Sequence, residues 1–148
     1  MSISIGTLSS NERQEWENLY RGYTEFYQVP MTSEILVAVW NWIFDAEVDF
    51  YALVARNEEK LPIGLMHFRE MPSPLRGKYV GFLDNLFVLP VARWTGVVDK
   101  MFKQLTEESV KNGWPFVRWI TAEDNYRGRS VYDRTAEKTK WVTYHMNV

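Results

Sequence analysis

The chain has 148 residues, 46% of them hydrophobic and 16% aromatic, with a formal net charge of -2 and no cysteine. That length suits one domain spanning 1–148 around a single core, and the lack of thiols excludes disulfides, zinc–thiolate sites and cysteine nucleophiles. The near-neutral balance gives no general attraction to nucleic acid or to an anionic membrane; with no apolar run near the roughly 18 residues of a membrane span and no basic, apolar leader, the chain reads as soluble and cytoplasmic.

Ile3, Ile5 and Leu8 alternate with polar residues, which predicts a short strand, and Ser9-Ser10-Asn11-Glu12 then reads as a helix start. Trp16, Leu19, Tyr20, Tyr23, Phe26 and Tyr27 recur at three- and four-residue steps and define one apolar stripe. Pro30 breaks this helix, and Thr32 or Ser33 caps a second one carrying Ile35, Leu36, Val39, Trp40 and Ile43. Phe50–Ala55 and Leu61–Arg69 flank the polar turn Asn57-Glu58-Glu59-Lys60 and predict an antiparallel hairpin. Met71–Lys78 reads as a loop from its Pro, Ser and Gly content.

The stretch from Tyr79 to Val88 is the next strand, running through a short turn into an amphipathic helix from about Thr95 to Asn112, with Gly113 as its C-cap. A strand over Phe116–Thr121 follows, so this pair is parallel with a right-handed crossover and the sheet is mixed. Asn125 caps a helix with Val131, Tyr132, Thr135 and Ala136, and Trp141–Met146 reads as a closing strand. The fold class is α+β.

The run Val88-Leu89-Pro90, the pattern Arg93-x-x-Gly96-x-Val98 opening a helix, and Asn125 followed by Tyr132 together resemble the GNAT superfamily of acyl-CoA-dependent N-acetyltransferases, closest to its small histone- and polyamine-acetyltransferase-like members. The likeness is best over residues 48–146 and implies a mixed, mostly antiparallel sheet flanked by helices. It implies acetyl-CoA as co-substrate and an amine of a small molecule or protein as acceptor, with direct transfer in a ternary complex, and a homodimer.

By the same resemblance, Arg93, Trp94, Thr95, Gly96, Val98 and Asp99 form the turn that holds the coenzyme A pyrophosphate at a helix N-terminus. Backbone N–H groups of Leu86, Phe87 and Val88 would bind the thioester oxygen and the pantetheine arm. Val98 and Trp94 stand where Gly or Ala is common, and Asp99 sets a carboxylate near the phosphates. These departures keep open a second reading, a catalytically weakened relative that binds a ligand or partner.

Asp84 is the candidate base, or a carboxylate that merely binds the amine. Asn85 joins the acceptor site only if a bulge interrupts strict strand alternation. Tyr132 matches the family's proton donor to the departing sulfur, its alternative being a core tyrosine, and Asn125 is a pantetheine ligand or a plain N-cap. Tyr23, Glu25, Tyr27 and Trp40 would shape the acceptor pocket. His67 and His145 lie in strand patterns without a metal-ligand cluster, so both read as structural and no metal is expected. Lys100, Lys103 and Arg129 are candidates for steering the adenosine phosphates or are ordinary surface charges.

Overall fold

The computed structural model describes residues 2–148. The element order is β1 (Ser4–Thr7), α1 (Arg13–Phe26), α2 (Ser33–Phe44), β2 (Phe50–Arg56), β3 (Pro62–Ser73), β4 (Lys78–Val88), a 3-10 turn (Pro90–Ala92), α3 (Val97–Asn112), β5 (Val117–Arg118) and α4 (Tyr126–Thr135). One sheet in the order β1-β2-β3-β4-β5 carries three antiparallel pairs and one parallel pair, between β4 and β5. The mixed α+β arrangement expected from the sequence is the one observed.

Period two along β2 sends Leu53 and Ala55 to one face of the sheet and Ala52 and Val54 to the other. The first face packs with Met66, Phe68, Leu83 and Val88 against Val97, Met101 and Leu105 of α3. The second packs with Leu65 against Trp16 and Leu19 of α1 and Leu36 and Val39 of α2. Both faces are covered, so β2 reads as a continuous apolar run rather than a half-polar one.

Local chemistry fixes the helix ends. Thr32 accepts the Ile35 N–H at 3.1 Å and caps α2. α1 starts later than the serines suggested: Glu12 precedes its first residue, accepting the Ser9 N–H at 2.8 Å and holding Arg56 at 2.6 Å across to β2. That ion pair holds the Glu12 carboxyl below the usual range.

Four expectations are corrected. The predicted loop Met71–Lys78 is mostly hairpin, with Met71 opposite Val80 and Ser73 opposite Lys78, leaving only the residues up to Gly77 as the turn. β2 ends its pairing at Arg69, so Pro72 sits on a one-sided part of β3, where a missing N–H is tolerated. The strand over Phe116–Thr121 pairs only at Val117 and Arg118, and α3 starts at Val97 rather than Thr95, after Gly96 at φ 83°. The closing strand Trp141–Met146, with His145 in it, does not form; Trp141 and Tyr144 are 74% and 93% exposed.

Gly81 marks where the sheet meets its last crossover, since a Cβ there would lie 2.7 Å from the Trp114 ring and 2.9 Å from Val117. Met101, fully buried in the α3 core, carries no compensating polar contact. Met101→Ala is expected to cost about 2–5 kcal/mol of stability, read from urea unfolding midpoints.

Candidate active site

β5 leaves β4 after the pair Phe82↔Arg118, whereas β4 runs on to Val88. The far half of β4 therefore has a neighbour on one side only, β3. Arg93 Nε donates to the Val88 carbonyl at 3.1 Å, so that carbonyl faces the open edge. By period two the backbone groups of Leu86 face the same way. Along this edge runs a cleft of about 330 Å³, bounded by Leu86, Phe87 and Val88, by Phe26 and Tyr27 at the end of α1, by the start of α3, and by α4.

The turn Arg93–Gly96 delivers the α3 N-terminus to this cleft, with the N–H groups of its first turn unbonded within the helix. Arg93, Trp94, Gly96, Val98 and Asp99 all line the cleft; Thr95 does not, its hydroxyl donating to the Ala92 carbonyl. Trp94 takes a left-handed φ of 68°, and its indole lies outside, 84% exposed, with the Arg127 guanidinium 4.3 Å from its ring. Asp99 is paired with Arg134 of α4 at 3.2 Å. Burial, and then the charge of Arg127, pull Arg93 below the ordinary guanidinium value. Cations gathered without an anion between them, beside free N–H groups, make an anion site.

Tyr132 lines the cleft from α4, packed edge-on to Trp119 and Phe102. Burial, with Tyr27 and Tyr23 nearby, pushes its phenol well above the usual value, so it stays protonated. Asn125 is the α4 N-cap: its oxygen accepts the Gly128 N–H at 3.2 Å, while its NH2 donates to Thr121 at 2.9 Å and Tyr27 at 3.1 Å. With both donors engaged, Asn125 serves the cleft by fixing Tyr27.

One step back along β4, the register with β3 jumps from His67↔Asn85 to Phe68↔Leu83, leaving Asp84 as an extra residue. This is the bulge that the joint use of Asp84 and Asn85 required. Asn85 meets His67, which packs on Tyr20 of α1, and the Asp84 carbonyl lies 3.5 Å from the Tyr23 hydroxyl, so both stand beneath α1. Burial raises the Asp84 carboxyl above its ordinary value, with Arg69 opposing. Arg69 Nε lies 3.2 Å from Asp84 Oδ2, yet the angles fall short of a hydrogen bond and that buried oxygen has no donor.

His67 is fully buried. Its Nε2 accepts the Trp16 indole N–H at 3.0 Å, so Nδ1 carries the proton and donates to Asn85 Oδ1 at 2.8 Å. This turns the Asn85 NH2 away from His67, and hydrogen bonding from Asn85 opposes the burial that raises the Tyr23 phenol. Burial pulls His67 down to about 4.

Of the residues expected in the acceptor pocket, Tyr23, Tyr27 and Asn85 come together, with Tyr23 and Tyr27 rings 4.7 Å apart. Glu25 does not: it is exposed and outside the cleft lining, half a helical turn from Tyr23. Trp40 packs on Trp16 in the core. Lys100 and Lys103 are exposed outside the lining, and Arg129 holds the Glu123 carbonyl. Arg127 and Arg134, which sequence reasoning missed, share a helix face with Val131 at steps of four and three; that spacing was the available signal.

The acetyltransferase (GNAT) family pattern matches residues 14–136. The chain is 25% identical to the D-amino-acid N-acetyltransferase HPA3 of Saccharomyces cerevisiae, over 98% of this chain and 91% of that protein. Its fold is similar to that of a ribosomal-protein-alanine N-acetyltransferase from Brucella melitensis biovar Abortus 2308, with TM-score 0.82, 20% identity and complete coverage of both chains. It is also similar to AAC(6')-Iy in complex with a CoA-based bisubstrate analogue, with TM-score 0.86 and 18% identity, covering 100% of this chain and 99% of that one.

The buried neutral His67 has a consequence for stability. Its folded value of about 4 lies below the ordinary 6.5, so between those values the unfolded chain binds more protons. Its contribution is complete above pH 6.5 and is lost as pH falls towards 4, by up to about 3 kcal/mol. Urea midpoints measured across this window are expected to fall more steeply for the wild type than for His67→Gln, whose amide can still accept from Trp16 and donate to Asn85.

Proposed function

Because the chain belongs to the acetyltransferase (GNAT) family, we propose that it transfers an acetyl group from acetyl-CoA directly to the primary amine of a small molecule or protein, within a ternary complex. The observation that carries this reading is that one strand, β4, lines the cleft with Leu86, Phe87 and Val88 directly after the bulge that bears Asp84 and Asn85.

Each part has a chemical task. The α3 N-terminus, Arg93 and Arg127 would hold the diphosphate, with Arg134 cancelling the repulsion of Asp99. Backbone N–H groups of Leu86 and Val88 would hold the thioester oxygen as negative charge develops on it. An alkylamine is protonated near neutral pH, and Asp84 takes that proton, directly or through a water; its raised value makes it a stronger base than an exposed aspartate. The amine nitrogen then bonds to the acetyl carbon as the carbon–sulfur bond breaks; Tyr132 gives its proton to the sulfur, and the proton that the acylated nitrogen sheds on becoming an amide restores the Tyr132 phenol. The alternative of a non-catalytic binding module drew on Trp94, Val98 and Asp99; the outward indole and the Arg134 pairing weaken two of its three supports.

The reading includes a cytoplasmic enzyme and a homodimer. No helix among the described residues is long and apolar enough to cross a membrane. Support for the dimer is the C-terminal run, whose Trp141, Val142, Tyr144 and Met146 are all largely exposed, in a sequence with strand alternation.

Calorimetric titration is expected to show acetyl-CoA binding; no heat at millimolar coenzyme would overturn the reading. In thiol-release assays Tyr132→Phe and Asp84→Asn should each slow turnover by roughly 100-fold, and unchanged rates in both would remove those roles. Light scattering should give a dimer, and removal of residues 141–148 a monomer; a monomeric full chain refutes the dimer alone.

A further inference from the structure

We infer that the acceptor carries a carboxylate beside its amine, so that Asp84 and Arg69 together hold it as a zwitterion of the amino-acid class; this rests on the transferase reading above. The groups acting on Asp84 are few. Arg69 is the charged one, 3.2 Å away, and Tyr20 and Tyr23 are the titratable neighbours from α1. A carboxylate oxygen buried without a hydrogen bond is costly, and Asp84 Oδ2 is such an oxygen.

An acceptor ammonium is a donor that this oxygen lacks. A plain amine arriving there, however, would set a second cation against the Arg69 guanidinium at close range in a half-buried place, and a polycation would add more. An acceptor with its own carboxylate removes the conflict, because positive and negative groups then alternate: guanidinium, Asp84, ammonium, carboxylate. Arg69 suits that task. Its guanidinium lies 4.7 Å from the Phe82 ring, and its side chain is 47% exposed. Stacking on a ring leaves the edge N–H groups of a guanidinium free to grip a carboxylate with two bonds. Because Arg69 lies opposite Phe82 in the β3–β4 ladder and Asp84 is the bulged residue two places on, both charges are fixed by strands rather than loops.

The test uses matched acceptors with one side chain: both enantiomers of phenylalanine, the corresponding methyl esters, and phenethylamine, assayed by thiol release at saturating acetyl-CoA. In the wild type at least one enantiomer is expected to exceed its ester and the amine in kcat/KM by roughly tenfold or more. Arg69→Gln should erase most of that preference through a raised KM, and Arg69→Lys should keep part of it. Ester or amine acetylated as well as the amino acid, or a preference that survives Arg69→Gln, overturns the zwitterion clamp and leaves the transferase reading standing. Absence of acetyl-CoA binding, measured separately by calorimetry, overturns both.

Discussion

Beyond Phe82, β4 has hydrogen-bonding partners on one side only, and the rest of the site follows from that constraint. A strand cannot bury unpaired N–H and C=O groups without cost, so the open edge must face solvent, a side chain or a ligand. Arg93 answers part of the demand by donating to Val88, which also pins the turn that leads into α3. The short β5 causes the opening: it pairs at two positions and then leaves, and α4 crosses the gap with Tyr132 and Val131 directed into it. One strand edge therefore serves two purposes. It leaves backbone groups of Leu86 and Val88 open to the cleft, and it sets the distance between the α3 N-terminus at one end and the Asp84 bulge at the other.

The region around the β4 bulge is held by a polar core rather than by packing alone. Trp16, His67 and Asn85 form a chain of hydrogen bonds from α1 through β3 to β4, inside a cage that includes Tyr20 and Phe50. Apolar substitution of one member would leave its neighbour unpaired in low dielectric, which costs more than the bond itself is worth. The same chain fixes which way the Asn85 amide points beside the bulge. The bulge at Asp84 sits beside this chain, so the two acidic and amide side chains that strand alternation would separate are brought to one face.

Much of this was legible in the chain. The β2–β3 hairpin, the strand–turn–helix around Val88 to Gly96, and Asn125 and Thr32 as caps all follow from local signals. The bulge was legible only as a condition, because a bulge at an aspartate carries no side-chain signature; it depends on how β3 and β4 are aligned over their whole length. Alternation in Trp141–Met146 shows a segment with a face to bury, but it cannot supply the neighbouring strand, and β5 is too short to provide one. Glu25 stands next to the aromatic stripe in the chain, yet two residues from Tyr23 its side chain leaves the helix on the solvent side. Arg127 and Arg134 were missed since charges on a short polar helix look like solvation until the opposing helix shows an acid and an anion site.

The departures at the α3 turn illustrate how sequence deviations can be absorbed by neighbours. A non-glycine residue in the left-handed region costs on the order of 1 kcal/mol, and Trp94 accepts this conformation with its ring outside, against Arg127. Asp99 would repel a diphosphate, but Arg134 offsets that charge from the facing helix, and both side chains are exposed, so the pair is solvent-screened and exchangeable. A diphosphate entering the mouth can therefore compete for Arg134 without having to break a buried bond. Val98 is different, because its branched side chain both lines the cleft and packs against the core cluster on the α3 side of the sheet. Its position is therefore fixed by apolar packing, whereas Asp99 is met by a charge from α4.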